Sequence, residues 1–349
     1  MSTRSAGLDQ TAGQSLEQVA ERLSAGARRW TGQHAGYLDS PAGRAELPVT
    51  PRVKALLQLA LLCHYWRRTA PADTALGEAT AVVERAWQRP DFPRLLTLGP
   101  RTARQFQLMY AALAPPGAAT GAGRTALARL AADGYLTADG EPRYPHLWKR
   151  FYAELAGADH RLAPYRELYA TSALARAGAG QPVDGLDVCH VTHTVFYLSD
   201  FGFRDPGLPG PARERALDVM TRLTDRCVRD GAWDLVAKLL LAQHCLGVNP
   251  LRTPSGAAGV RMLARAQTPE GAIPGRSAAE RAPATATPVE FFRCAYQATL
   301  GTALAMLVVT RGTAGAAGAA GSAGSAGTLG RAGGPAEAAA PAPALRGAR

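Results

Sequence analysis

Apolar residues recur along this chain at intervals of three and four, the spacing of one face of an α-helix. Leu16, Val19, Ala20 and Leu23 follow Ser15, a residue suited to capping a helix. Thr50-Pro51 reads as a cap with proline at the first helical position, where its missing N–H costs nothing. Val53, Leu56, Leu57, Ala60, Leu61 and Cys63 then form an apolar face. The same pattern predicts helices at about 74–88, 101–113, 124–132, 145–157, 164–177, 184–199, 211–229, 231–247, 256–267 and 289–309. Proline or glycine separates most of them. Sustained period-two alternation of β-branched residues does not occur, so sheet is at most a minor component. The expected fold is all-α: about a dozen helices in hairpins, forming an irregular solenoid or an α/α-toroid-like ring.

Composition sets the limits of that array. Hydrophobic residues make up 47% of the 349, enough for a substantial core. The first thirteen residues are polar without periodicity, and 311–349 is almost only Ala, Gly, Ser and Pro. Neither stretch has large side chains to offset the entropy of ordering, so both are expected to be disordered around a single helical domain at 14–310. Net charge is +11, but Lys54, Lys149 and Lys238 are the only lysines, and arginine is scattered among acids. A nucleic-acid footprint would cluster, so no such partner is expected.

Five cysteines are spread widely with no CxxC pair, which argues against a structural zinc site. No secretory h-region precedes the first helix. The most apolar run, Ala295 to Val309, is shorter than the roughly 20 residues of a bilayer span and is expected to be a buried core helix. These features predict a cytoplasmic protein with free thiols and no membrane partner. Gly117–Gly123 lacks a preceding strand and the Lys-Ser/Thr of a phosphate loop, so it reads as a linker.

One stretch carries chemistry. At 100° per residue, His190, His193, Thr194, Tyr197 and Asp200 share an arc of about 120° on the helix predicted at 184–199 and its extension. Val188, Cys189, Val191, Val195, Phe196 and Leu198 lie opposite. A solvated face would carry Lys, Arg and Glu; this one suits a partly dehydrated cavity. His190, His193, Tyr197 and Asp200 are therefore the candidate catalytic residues. A histidine could act as general acid or base, with Tyr197 or Asp200 orienting a small-molecule ligand.

His190 and His193, about 4.5 Å apart along the axis, could instead be two ligands of a divalent metal, the only cofactor the sequence suggests. Asp200 lies about 10 Å beyond His193 on a straight helix, so a third ligand would come from Asp234, His244 or Glu290. A purely structural role is also open: histidines bonded to backbone carbonyls, Gly202 ending the helix, and Asp200 bracing the next turn. Cys189 and Cys294 read as apolar fillers, since no basic neighbour is apparent. His64 and His244 read as structural, and Asp234 and Glu290 as helix-start acids.

Leu186, His190, Thr192, His193, Phe196, Tyr197, Ser199, Asp200, Phe201 and Gly202 resemble the signature of an uncharacterised family of actinobacterial helical proteins, several encoded beside natural-product genes. A later element of that family resembles Tyr-His-x-Thr-Leu, where this chain has Tyr296-Gln297-Ala298-Thr299-Leu300. Gln297 cannot serve as a base and is a poor metal ligand, so an altered site is one implication. The Ala266–Pro274 segment resembles repeat turns of terpenoid-cyclase and prenyltransferase toroids. The absence of DDxxD and DxDD runs argues against prenyl diphosphate cyclisation. Three roles stay open: an enzyme of specialised metabolism with a His/Tyr/Asp cavity, a non-catalytic small-molecule-binding or scaffold protein of a biosynthetic pathway, or a relative whose cavity is filled.

Overall fold

A computed structural model describes residues 14–117, 120–137, 144–177 and 182–322. The expectation of disorder at 1–13 lies outside the described residues, as does that for 323–349. Among the described residues fifteen α-helices follow one another: α1 (Leu16–Ala35), α2 (Pro41–Glu46), α3 (Val49–Thr69), α4 (Thr74–Gln88), α5 (Phe92–Leu95), α6 (Ala103–Ala112), α7 (Thr120–Ala132), α8 (Tyr144–Leu155), α9 (Tyr165–Ala170), α10 (Ala173–Arg176), α11 (Val188–Ser199), α12 (Gly210–Arg229), α13 (Trp233–Cys245), α14 (Pro254–Ala266) and α15 (Pro288–Ser322). No strand occurs among the described residues, only an isolated bridge between Thr137 and Arg161. The fold is all-α, as the pattern predicts. The described residues up to Thr313 group as one compact unit; of Ala314–Arg349, the described part is the end of α15.

Local chemistry sets most boundaries. Ser15 and Gln18 form a reciprocal capping box that opens α1. Asp73 accepts from the Ala75 N–H and opens α4, which runs over the predicted 74–88. Three expected boundaries need correction. α3 starts at Val49, because the Pro48 carbonyl already accepts from Arg52 N–H at 3.1 Å; Thr50 and Pro51 sit inside the first turn. The single helix expected at 164–177 is two short ones, since the Ser172 hydroxyl accepts from Ala175 N–H and starts α10 afresh. At the far end α15 continues through the Ala-rich segment to Ser322 rather than stopping near 309. Alanine has the highest helix propensity, and propagating an existing helix costs far less than nucleating one.

Helix contacts run in a circuit. α1 packs on α4, α4 on α3, α3 on α6, α6 on α8, α8 on α11, α11 on α13, α13 on α14, and α14 returns to α1. The closure is tied by the turn after α14. Gln267 Nε2 donates to the carbonyls of Leu23 in α1 and of Gly271, both at 3.0 Å. Gly271 takes φ +105°, and a Cβ there would stand 2.1 Å from the Gly26 carbonyl oxygen, so only glycine fits. Ile273 N–H then donates to Thr299 Oγ1 on α15 at 2.8 Å.

From Ala295 to Val309 α15 carries no charged residue. Ala295, Ala298, Thr299, Ala303, Ala305 and Met306 are fully buried. Its stretch Pro288–Arg311 is long and apolar enough to cross a membrane by length and composition, yet 67% of its most apolar window is buried within the protein. A helix hydrophobic all round is what a core position requires.

Candidate functional site

α11 begins where Asp187 Oδ1 accepts from His190 N–H at 3.1 Å, four residues later than the pattern suggested. From that start Cys189, His193 and Tyr197 recur on one face, one turn apart. They line two adjoining cavities. The inner one, about 380 Å³, is walled by α3, α6, α8, α11, α13 and α15; the outer one, about 550 Å³, shares Gln105, Trp148, Cys189, His193 and Tyr197 with it.

The inner cavity is apolar over most of its wall, with Leu57, Leu61, Phe106, Met109, Leu300 and Leu304. Its polar groups are concentrated. Lys238 Nζ, from α13, donates to Asp234 Oδ2 at 2.8 Å and reaches Cys189 Sγ at 3.7 Å. Asp234 is 2% exposed, and its other oxygen, Oδ1, has no hydrogen-bond partner. Gln58 Oε1 on the same lining is likewise buried and unpartnered. Two acceptors without donors are costly in an apolar interior and suit a ligand that brings N–H or O–H groups.

Burial is the main cause holding His193 down to a pKa of about 4, with the positive charge of Lys238 next and His190 third. The imidazole is therefore neutral at pH 7. Its ring centroid lies 5.8 Å from that of Tyr197, which packs on Phe151 at 5.2 Å. The His193 ring thus packs against an aromatic wall of Phe196, Tyr197 and Phe151.

The outer cleft has a different character. Arg101, Arg104, Lys149 and His190 line it, and no carboxylate is among its described lining residues. Lys149, 2% exposed, stands 4.0 Å from the centre of the Tyr135 ring, and Arg104 lies 5.2 Å from the same ring.

The structure divides the residues singled out in the sequence. His193 and Tyr197 face both cavities. His190 lies at the rim of the outer cleft, its side chain 49% exposed and 3.7 Å from Asp187 Oδ2. Asp200 does not join them. The helix ends at Ser199, and Asp200 turns into the left-handed region at φ 48°, followed by Phe201 at 54° and Gly202 at 88°. Its carboxylate accepts from Tyr65 Oη at 2.6 Å and pairs with Arg68 at 2.9 Å. The common arc required a straight helix through residue 200, which this turn abolishes. Asp200 braces the turn.

The three residues considered as a third metal ligand are dispersed. Asp234 faces the inner cavity; His244 lies beneath Gly202, its basicity lowered by burial; Glu290 bonds Thr287 at the start of α15. Among the described residues no group of three His, Cys, Asp or Glu could hold a metal ion.

Several site groups escaped the sequence reading. Cys189 has a basic neighbour after all, but that neighbour is 49 positions away. Tyr152 and Gln58 gave no signal. Gln297, noted only as a departure from the resembled signature, lines the inner cavity. One usable signal was passed over: all three lysines of this arginine-rich chain line these cavities, Lys54 and Lys238 the inner one and Lys149 the outer.

A family described as a domain of unknown function (DUF6895) matches residues 24–307, which takes in every helix that walls the inner cavity apart from the end of α15. No curated protein and no solved structure matches the chain.

Proposed function

The chain belongs to this DUF6895 family, and from the chemistry of its own side chains we propose that it is an enzyme that holds a small organic molecule in the inner cavity and moves a proton on it with His193. The observation that carries this reading is a neutral imidazole on the wall of a largely apolar cavity, next to the Lys238–Asp234 pair. A neutral imidazole can accept a proton. Lys238, within reach of the same space, supports negative charge developing on the ligand, and a poorly hydrated site strengthens that attraction.

The circuit of helix contacts supports a toroid-like reading of the array, with its chamber enclosed by the ring. Five free thiols among the described residues suit a reducing compartment, which favours a cytoplasmic location. The likeness of the His190–Gly202 stretch to helical proteins encoded beside natural-product genes favours a substrate from specialised metabolism. Gln297, at the cavity wall, is the position where this chain would differ from such relatives, as a hydrogen-bonding group in place of a base.

A second reading is a non-catalytic binding protein. It is favoured by the fate of the other candidates: His190 is half-exposed and Asp200 is engaged elsewhere, which leaves one imidazole. Histidine-resolved NMR separates the two. If the proposal holds, His193 stays neutral down to about pH 4, and its resonance moves on binding of apolar alcohols or ketones found by thermal-shift screening. A His193 resonance that does not respond to any ligand bound in the cavity sinks the catalytic reading.

A further inference from the structure

We propose that Cys189 is an acyl-accepting nucleophile, taking an acyl group from a thioester whose negatively charged carrier lies in the outer cleft. This deepens, and rests on, the reading of His193 as the proton-moving group.

Position is the first argument. Cys189 lines both cavities, so its sulfur stands where an apolar chamber meets a cationic one. It precedes His193 by one helical turn on the same face of α11, and both residues line both cavities. Lys238 Nζ approaches its sulfur at 3.7 Å. No other cysteine lines either cavity among the described residues. Cys63, Cys227 and Cys245 are buried, and burial raises the pKa of each, to about 12 for Cys63 and Cys245. That makes these three thiols poor nucleophiles.

The two chambers describe the two halves of the substrate. Leu57, Phe106, Met109, Leu241, Leu300 and Leu304 offer the inner half an apolar lining suited to an acyl chain. Asp234 Oδ1, almost wholly buried and without a donor, faces the same space. It accepts from a hydroxyl or amide N–H on the acyl group. The outer half meets Arg101 and Arg104, neither of which pairs with a carboxylate among the described residues. A phosphate-bearing thiol carrier satisfies them.

The reaction balances without an oxidant or reductant. His193 takes the Cys189 proton as the sulfur lone pair forms a bond to the thioester carbonyl carbon. The resulting oxyanion lies beside the Lys238 ammonium. Collapse breaks the bond from carbon to the carrier sulfur, and the departing thiolate regains the proton from the imidazolium. One carbon–sulfur bond forms and one breaks, leaving the acyl group on Cys189 as a thioester.

The test uses the full chain with octanoyl-coenzyme A and with octanoyl-N-acetylcysteamine, the same acyl group on a charged and on a neutral carrier. Mass spectrometry of the peptide bearing Cys189 should show octanoylation from both. It should be absent in Cys189→Ser and slowed on the order of 100-fold in His193→Gln, the usual range for loss of a general base. The coenzyme A ester should react faster, with its advantage reduced in Arg104→Gln and at high salt. Melting curves of both site variants confirm an intact fold. Absence of label on Cys189, or equal label on Cys294, overturns the proposal; equal rates from the two carriers overturn the carrier assignment. Octyl methyl ketone, which binds but cannot acylate, separates this failure from that of the broader reading. If it stabilises the protein while Cys189 stays unlabelled, the nucleophile is rejected and the cavity survives. If it does not bind, both fall.

Discussion

Over its first turns α11 presents Cys189, His193 and Tyr197 to the two cavities, whereas at its C-terminal end Asp200, Phe201 and Arg204 lock a left-handed turn. The residue types at the two ends look alike in the sequence, a mixture of small polar and aromatic side chains. What separates them is whether their hydrogen bonds are already made. At the cap, Asp200 accepts from Tyr65 and Arg68, and Arg204 donates to the carbonyls of Tyr197 and Leu198, both at 3.1 Å. At the cavity end, Asp234 Oδ1 and Gln58 Oε1 opposite α11 are left unpartnered. Satisfied polar groups hold a fold together. Unsatisfied ones at a cavity wall leave bonding capacity that a ligand could meet.

Four substitutions can break that contrast or sharpen it. The largest effect is expected from Asp200→Ala, which strands the buried Tyr65 hydroxyl and removes a carboxylate paired with Arg68. Chemical denaturation should show a loss of about 3 kcal/mol, one stranded buried group plus one charged hydrogen bond. A loss below about 0.5 kcal/mol would mean the cap does not brace the turn.

The second effect depends on pH. The native pKa of His193 is depressed to about 4 from 6.5, so between those values the unfolded chain binds the extra proton. Stability from this group is therefore complete above about pH 6.5 and lost as pH falls toward 4. Because the ring borders a cavity that water can enter, the expected loss is on the order of 2 kcal/mol. It should be missing from the pH profile of His193→Gln, while the acid sensitivity due to other groups remains.

Arg204→Met comes third. It frees two carbonyls at the end of α11 and should cost about 1 kcal/mol in denaturant, with ligand binding unchanged. Smallest of all is His190→Ala. Half-exposed at the cleft rim, it should alter stability by less than about 0.5 kcal/mol. A larger change would place His190 in the packed framework rather than at its edge.

The helical framework was legible because periodicity and caps are local. The run at 74–88 is bounded by Asp73 and Arg89 in the chain itself and needs no tertiary partner to read. The two-helix break at Ser172 was also written locally, as a serine cap, but an uninterrupted apolar pattern masked it. The site was half legible. His193 and Tyr197 lie on one face for reasons of helical geometry alone. Asp200 was misplaced because three consecutive positive φ angles, two at non-glycine residues, cannot be anticipated from a pattern that assumes a straight helix. Lys238, bonded to Asp234, reaches Cys189 across the α11–α13 contact, a long-range adjacency that no spacing rule contains.

The closing turn at Gln267–Ile273 bears on how the chamber comes into being during synthesis. α1 leaves the ribosome first, yet its hydrogen bond from Gln267 and its seat against Gly271 must wait for a segment made some 240 residues later. α15, which supplies Gln297, Leu300, Gly301 and Leu304 to the wall, emerges later still. The nascent protein therefore has helices long before it has an interior, and premature termination before α15 leaves the apolar faces of α3, α11 and α13 open to water, where they invite aggregation.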